Sequence, residues 1–143
     1  MSYETKTPPA AKELLDSGDG WTYLDVRTEG EFASGHVPGA YNIPFAIHHP
    51  TMGMMPNPQF TEVVQRHFEA DRALVVGCAA GGRSMAACEA LQHVGFTRLV
   101  NMHGGFSGAA GPTGEITEPG WSALGYDVER DSPAERTFAE LKK

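Results

Sequence analysis

The sequence is poor in cysteine. It carries two in 143 residues, Cys78 and Cys88. Neither belongs to a C-x-x-C pair, so neither a zinc site nor a disulfide framework is indicated. That usage suits a reducing compartment. The chain also lacks positive charge. Its formal net charge is −7, and no basic stripe is available for a nucleic-acid partner. No apolar run approaches the roughly 18 residues of a membrane span. The N-terminal "MSYETKTPPAAK" has no apolar core of the signal-peptide kind. These absences lead to the expectation of a soluble, cytoplasmic protein with no membrane partner. Internal repeats and low-complexity linkers are absent too. With 41% hydrophobic residues, the composition is that of a globular chain long enough for one domain. We read residues 1–143 as one domain, with a core over about 8–128 and a helical tail over 129–143.

What is present alternates. "TPPAAKELLDSGDG" reads as a short helix, with Thr7 as N-cap and Pro8 at its first position. "WTYLDV" (21–26) reads as a strand. Thr28 with Glu31 three residues on is a capping-box pattern, and Gly35 ends that short helix. "AYNI" (40–43) reads as a short buried strand. "PFAIHHPTMGMMPNP", with four prolines and no Asp, Glu, Lys or Arg, is expected to be a long loop with a methionine-bearing apolar face. Phe60, Val63, Val64 and Phe68 recur at helical spacing. "ALVVG" (73–77) is a continuous apolar run, the pattern of a strand buried on both faces. A helix over 83–95, a strand over 98–102, a glycine-rich loop over 103–120 and a terminal helix with Ser132 as its cap and Pro133 at its first position complete the pass. Strands alternating with helices predict an α/β fold with a mostly parallel sheet. In such a sheet ligands bind at the carboxyl ends of the strands. Arg27, the 44–57 loop, the 78–83 loop and the 103–120 loop should therefore share one mouth.

Cys78 belongs to that set. In "VVGCAAGGRS" it stands where a buried strand turns into a helix. The first amides of that helix lack intrahelical partners and favour an anion. Gly81 and Gly82 permit close backbone approach. Ala79 and Ala80 leave the bowl unfilled. Arg83 brings a permanent positive charge, and Ser84 can donate its hydroxyl to sulfur or cap the helix. Each feature favours the thiolate, which is the nucleophile. The bland alternative is an inert cysteine in a tight turn. Arg27 could hold an anion, but an ion pair with Glu31, four residues on, is the simpler reading. Asp25 should bond nearby loop amides, and His36 should be a satisfied structural histidine. His103 is a candidate substrate contact. His48 and His49, with Met52, Met54 and Met55, lack the thiolates or carboxylates of a metal site, and an apolar rim is favoured. Cys88 should lie in the core, with a resolving-cysteine role as the alternative.

"YLDVRTEGEFASGHVPGAYNIPF" resembles the N-terminal signature of rhodanese-type sulfurtransferases, D-V-R-x-x-x-E-[FY]-x-x-G-H-[IV]-P-G-A. "VVGCAAGGRS" resembles their active-site loop, C-x-x-G-x-R-[ST], and "GFTRLVNMHGGFSG" their closing strand and Gly-Gly turn. The match spans roughly residues 8–110 and is closest to single-domain members such as the plant senescence-associated type. It implies a three-layer α/β/α fold with a mostly parallel five-stranded sheet. It also implies sulfur transfer through a Cys78 persulfide, with Ala79, Ala80, Gly81, Gly82, Arg83 and Ser84 around the anion. No metal or organic cofactor is called for. The partners implied are a small anionic donor, with thiosulfate favoured over mercaptopyruvate, and a thiol or cyanide acceptor, which a redox protein could supply.

Two other functions stay open. Relatives of this fold that act as phosphatases or arsenate reductases place one more residue between cysteine and arginine. Here Cys78 to Arg83 spans six residues inclusive, a narrower ring that suits one sulfur atom better than a tetrahedral phosphoryl group. A non-catalytic binding module is the third reading. The segment "GGFSGAAGPTGEITEPGW" departs from the family's shorter Gly-Gly-aromatic-x-x-Trp turn, with Trp121 standing in at a different spacing.

Overall fold

The computed structural model describes residues 3–143. Its framework is one five-stranded sheet, built from β1 (Glu4–Lys6), β2 (Thr22–Asp25), β3 (Tyr41–Asn42), β6 (Leu74–Gly77) and β7 (Leu99–Met102). The order is β1-β7-β6-β2-β3, and every neighbouring pair is parallel. From β2 the chain steps outward to β3 and then returns to β6 on the other flank of β2. The carboxyl ends of β2 and β6 thus form a topological switch point, where an open α/β sheet binds ligands.

Helices α1 (Pro8–Asp16), α2 (Glu29–Ser34), α3 (Phe60–His67), α4 (Gly82–His93) and α5 (Phe138–Leu141) cover the sheet. Alternation along the strands feeds two cores. Leu24, Leu74, Val76 and Leu99 pack with Val63, Val64, Ala87, Leu91, Phe138 and Leu141 on one face. Tyr23, Val75, Val100 and Met102 pack with Ala11, Phe32 and Trp121 on the other. The result is the expected three-layer arrangement. Each fully buried Leu, Val or Phe stabilises it by about 1.5–3 kcal/mol relative to exposure.

The chain departs from the sequence reading in four places. The polar N-terminus supplies β1, because pairing with β7 satisfies an otherwise exposed edge. The segment read as a long loop after β3 is a hairpin, β4 (Ala46–His49) with β5 (Gly53–Pro56), in which His48 faces Met54 and His49 faces Gly53. Its alternation was hidden by prolines at its ends. The glycine-rich 103–120 segment contains a smaller hairpin, β8 (Ala109–Ala110) with β9 (Ile116–Glu118). The terminal helix is broken: a 3₁₀ turn over Ala134–Arg136 precedes α5, and Thr137, not Ser132, stands at the α5 N-cap position.

Other readings hold. Thr28 and Glu31 form the capping box at α2. His36 is fully buried, stacked on Phe32 and hydrogen-bonded to Phe32 O (2.8 Å) and Glu129 Oε1 (3.0 Å). Glu129 also takes both Arg136 nitrogens at 2.9 Å and the Gly39 amide. The Arg136 guanidinium, aided by the Gly39 amide and His36, holds the Glu129 carboxyl well below the usual carboxylate range, at about 2.

A carboxyl depressed by folding stabilises the native state above its unfolded value and loses that contribution as pH falls through its folded value. The Glu129 contribution is therefore complete above about pH 5 and gone near pH 2. Glu129→Gln should cost about 1 kcal/mol at pH 7. Thermal melts from pH 7 to pH 2 should show the gap from the unsubstituted chain closing across that window.

Candidate active site

Cys78 directly follows β6, the middle strand. Its thiol is 2% exposed, at the floor of the mouth that the strand ends create. Gly77 before it has no room for a side chain, since a Cβ there would lie 1.7 Å from the Tyr23 phenol oxygen. The Gly81 amide donates to Cys78 Sγ at 3.0 Å. Gly81 has φ +124 and sits at the N-cap position of α4, a conformation that glycine tolerates and that turns its N–H onto the sulfur. The Gly82, Arg83 and Ser84 amides follow in the first turn, where no intrahelical acceptor exists.

The loop is held from behind by the turn after β7. Phe106 N donates to Cys78 O and Ser107 N to Ala79 O, each at 2.8 Å. In a trans peptide the C=O and N–H point opposite ways. Tying those two carbonyls to the turn therefore directs the Ala79 and Ala80 amides toward the open side of the loop. Gly105 makes this contact possible. Its φ is +57, and a Cβ would stand 2.4 Å from Cys78 O and 2.6 Å from Ala79 O. The Gly-Gly pair was legible in the sequence; its role as a latch was not.

Arg83 behaves differently from the expectation that it closes the ring around the anion. Its Nη1 and Nη2 donate to Glu31 Oε1 and Oε2 at 2.8 and 3.1 Å. Glu31 Oε1 also accepts from the Thr28 amide and hydroxyl, each at 3.0 Å. The Arg83 hydrogen bonds, ahead of the Thr28 contacts, hold the Glu31 carboxyl at about 2, and the same pairing raises Arg83. The expected Arg27–Glu31 ion pair is absent for the same reason: Glu31 is already engaged. Arg27 is buried and instead binds Asp25, with Nη2 to Oδ2 at 2.7 Å and Nε to Oδ1 at 3.0 Å. It also donates to Gly35 O and stacks over Phe106. Asp25 accepts the Arg27 amide at 2.9 Å, as its position suggested. Arg27 is thus committed within the fold rather than free in the mouth.

Ser84 also departs from expectation. Its hydroxyl lies 3.5 Å from Cys78 Sγ, placed to accept from the thiol. Its own hydrogen has the buried Asn101 Oδ1 at 2.5 Å and Gly81 O at 3.1 Å. Sequence reasoning missed Asn101, because no local pattern joins positions 84 and 101. His103 is exposed and follows β7, with its amide on Lys6 O. A methyl group on Gly81 would meet His103 Nδ1 at 3.8 Å, so the imidazole borders the loop.

His48 and His49 lie on the β4–β5 hairpin, where His49 Nδ1 accepts from the Thr51 and Met52 amides. Among the described residues no group of His, Cys, Asp or Glu is arranged to hold a metal ion. Cys88 is fully buried among Leu91, Phe96 and Leu99, and desolvation pushes its thiol up to about 12. A cleft of about 370 Å³ between Lys12, Trp21, Tyr41 and Arg72 does not have Cys78 in its lining. No described helix is long and apolar enough to cross a membrane.

A parallel α/β sheet whose middle strand runs into a cysteine, followed by a short amide loop and a helix N-terminus, defines a cysteine-loop domain able to hold negative charge on sulfur. Comparison with known proteins narrows that class. Residues 7–111 match the Rhodanese-like domain family, and the chain belongs to it. It is 41% identical over 112 residues to thiosulfate sulfurtransferase 16, chloroplastic, from Arabidopsis thaliana, covering 75% of this chain and 91% of that protein. It is 38% identical over 96 residues to senescence-associated protein DIN1 from Raphanus sativus, covering 67% of this chain but spanning only 51% of that protein. The crystal structure of Rv0390 from M. tuberculosis superposes with a TM-score of 0.75 at 25% identity, over 91% of this chain and all of that one. The chloroplastic label of the Arabidopsis protein lends no support to a cytoplasmic location.

The contrast between the two cysteines is testable. Iodoacetamide at pH 8 on the native protein should alkylate Cys78 and leave Cys88 unmodified until denaturant is added. Peptide mass mapping reads the result. Cys88→Ala should leave Cys78 labelling unchanged, whereas a gain in that labelling would indicate that Cys88 had been pairing with Cys78 as a disulfide.

Proposed function

We propose that this protein is a thiosulfate sulfurtransferase-like enzyme in which Cys78 carries sulfur as a persulfide. The observation that carries the reading is the Gly81 amide on Sγ at 3.0 Å, with the loop peptides turned inward by the Phe106 and Ser107 latch. Backbone amides fixed before reaction stabilise charge on sulfur with no reorganisation.

The reaction has two halves. The Cys78 thiolate attacks the outer sulfur of thiosulfate. A new S–S bond forms, the bond between outer sulfur and sulfite breaks, and its electron pair leaves with sulfite. Cys78 is left as an anionic persulfide. Cyanide or a thiolate then attacks the terminal sulfur, and the returning pair regenerates the Cys78 thiolate. Charge balances in both halves, and no external oxidant or reductant is consumed. This is covalent catalysis in its ping-pong form. Ala79, Ala80, Gly81 and Gly82 supply the cradle, Ser84 accepts from the Cys78 thiol before it ionises, and the exposed His103 borders the loop on the side where an anionic donor enters. The tight ring from Cys78 to Arg83 favours a single sulfur atom over a phosphoryl group. The name of the Arabidopsis relative supports thiosulfate as a donor.

The test is intact mass after incubation with thiosulfate. A gain of one sulfur atom, removed by cyanide and absent in Cys78→Ser, is the expected result. No adduct together with hydrolysis of an aryl phosphate would assign the site to phosphatase chemistry. Neither result would leave a non-catalytic binding module.

A further inference from the structure

We propose that His48, Met54 and Met52 of the β4–β5 hairpin form a binding site for a soft monovalent cation, Cu(I). The site takes no part in sulfur transfer, and the inference does not rest on that reading.

The hairpin sorts the histidines and methionines of this segment into two groups. His48 stands directly opposite Met54 in the antiparallel pair. Both are exposed, Met54 at 48%. Directly opposed residues share one face, with Cβ atoms about 4.5–5.5 Å apart. An ion held a little over about 2 Å from each ligand atom can bridge that gap. Met52, 65% exposed, stands at the tip two residues before Met54. Its unbranched thioether is flexible enough to turn onto the same face. Met55 pairs with Ile47 on the opposite face, and both are less exposed. His49 is excluded by its own bonding. Its Nδ1 accepts the Thr51 and Met52 amides, each at 3.2 Å. The ring hydrogen then sits on Nε2, and neither nitrogen offers a lone pair. His49 instead fixes the backbone that carries Met52.

The base of the hairpin is fixed as well. The Asn57 amide donates to Phe45 O at 2.9 Å, and the buried Asn57 side chain donates through Nδ2 to Pro44 O at 2.8 Å. Phe45 packs edge-on against Phe60, with ring centroids 5.2 Å apart. The ligand set on this platform then names the ion. Thioether sulfur is soft and selects Cu(I), which imidazole also binds. His48, Met52 and Met54 are neutral ligands, and no Asp, Glu, Lys or Arg occurs between Glu31 and Glu62. A divalent ion on such a set would keep both charges uncompensated. Calcium and magnesium would miss their carboxylates, and zinc its thiolates or further imidazoles. His48 also borders a cleft of about 540 Å³ that has one group of each sign in its lining, Glu29 and Lys142. Their charges offset one another, so the surroundings favour neither an anion nor a highly charged cation.

The test uses the full chain with Cys78→Ser, which removes a competing soft thiolate; Cys88 is fully buried. Under ascorbate and without oxygen, this protein should take one Cu(I) from the bicinchoninate complex. In the same background, His48→Ala and Met54→Leu should each weaken uptake at least about tenfold, the lower end of what loss of a mere outer-shell partner costs a metal site. Met52→Leu should weaken it less. Met85→Leu, at an exposed methionine of α4, should change nothing. Leucine and methionine are close in volume, so these variants should keep the fold. Titration with Ag(I), a redox-inert stand-in for Cu(I), should shift the methyl NMR signals of Met52 and Met54 and leave that of Met85 in place. Absence of uptake, or unchanged affinity in His48→Ala and Met54→Leu, would overturn the inference. So would equal Ag(I) shifts at Met85 and Met54, which would mark unspecific thioether binding. Displacement of Cu(I) by an equal concentration of Zn(II) would overturn the assignment of the ion.

Discussion

A short loop can present its amides to an anion only if its carbonyls face elsewhere and find donors. That constraint organises this domain. The carbonyls of Cys78 and Ala79 are taken by the Phe106 and Ser107 amides, and the contact requires a glycine at 105, where any Cβ would overlap the loop backbone. The turn after β7 is therefore part of the site, although no side chain of Gly104 or Gly105 could take part in chemistry. The strand order places β7 beside β6, which brings that turn behind the loop. Sheet topology and peptide-plane orientation are one problem here, solved once.

The second feature is how charge is handled around the mouth. Two arginines lie near Cys78, and each is bound by a carboxylate from the β2–α2 segment: Arg27 by Asp25, and Arg83 by Glu31. The Asp25–Arg27 pair is buried, where removing one partner would strand the other at high cost. The Glu31–Arg83 pair is only part-buried, its side chains 26% and 36% exposed. Burial thus separates two ion pairs that the sequence writes differently: Asp25 and Arg27 lie two residues apart, Glu31 and Arg83 fifty-two.

Much of this is legible in the sequence. The buried run "LVVG" leading into cysteine, the capping box at Thr28 and a helix opening near Arg83 are local patterns, set by burial, hydrogen bonding and backbone conformation over a few residues. Elements lost in the reading have a common cause. β1, the β4–β5 hairpin and the β8–β9 hairpin are strands of two to four residues, too short to show a period-two pattern, and pairing partners rather than propensity establish them. The broken terminal helix failed in the same way, since Thr137 competes with Ser132 for the cap and packing of Phe138 and Leu141 decides between them.

The sequence by itself determined the α/β alternation, the edge of the sheet at which Cys78 lies, the anion-seeking character of its loop and the burial of Cys88. These follow from periodicity, glycine placement and helix-end polarity. Only the tertiary structure decided which carboxylate each arginine takes, that Asn101 receives the Ser84 hydrogen, and that the 105–107 backbone supports the loop. Those partners are separated by as many as 52 residues in the case of Glu31 and Arg83. A side chain's charge is a property of its residue type, but its direction is set by whichever partner the folded chain brings within reach.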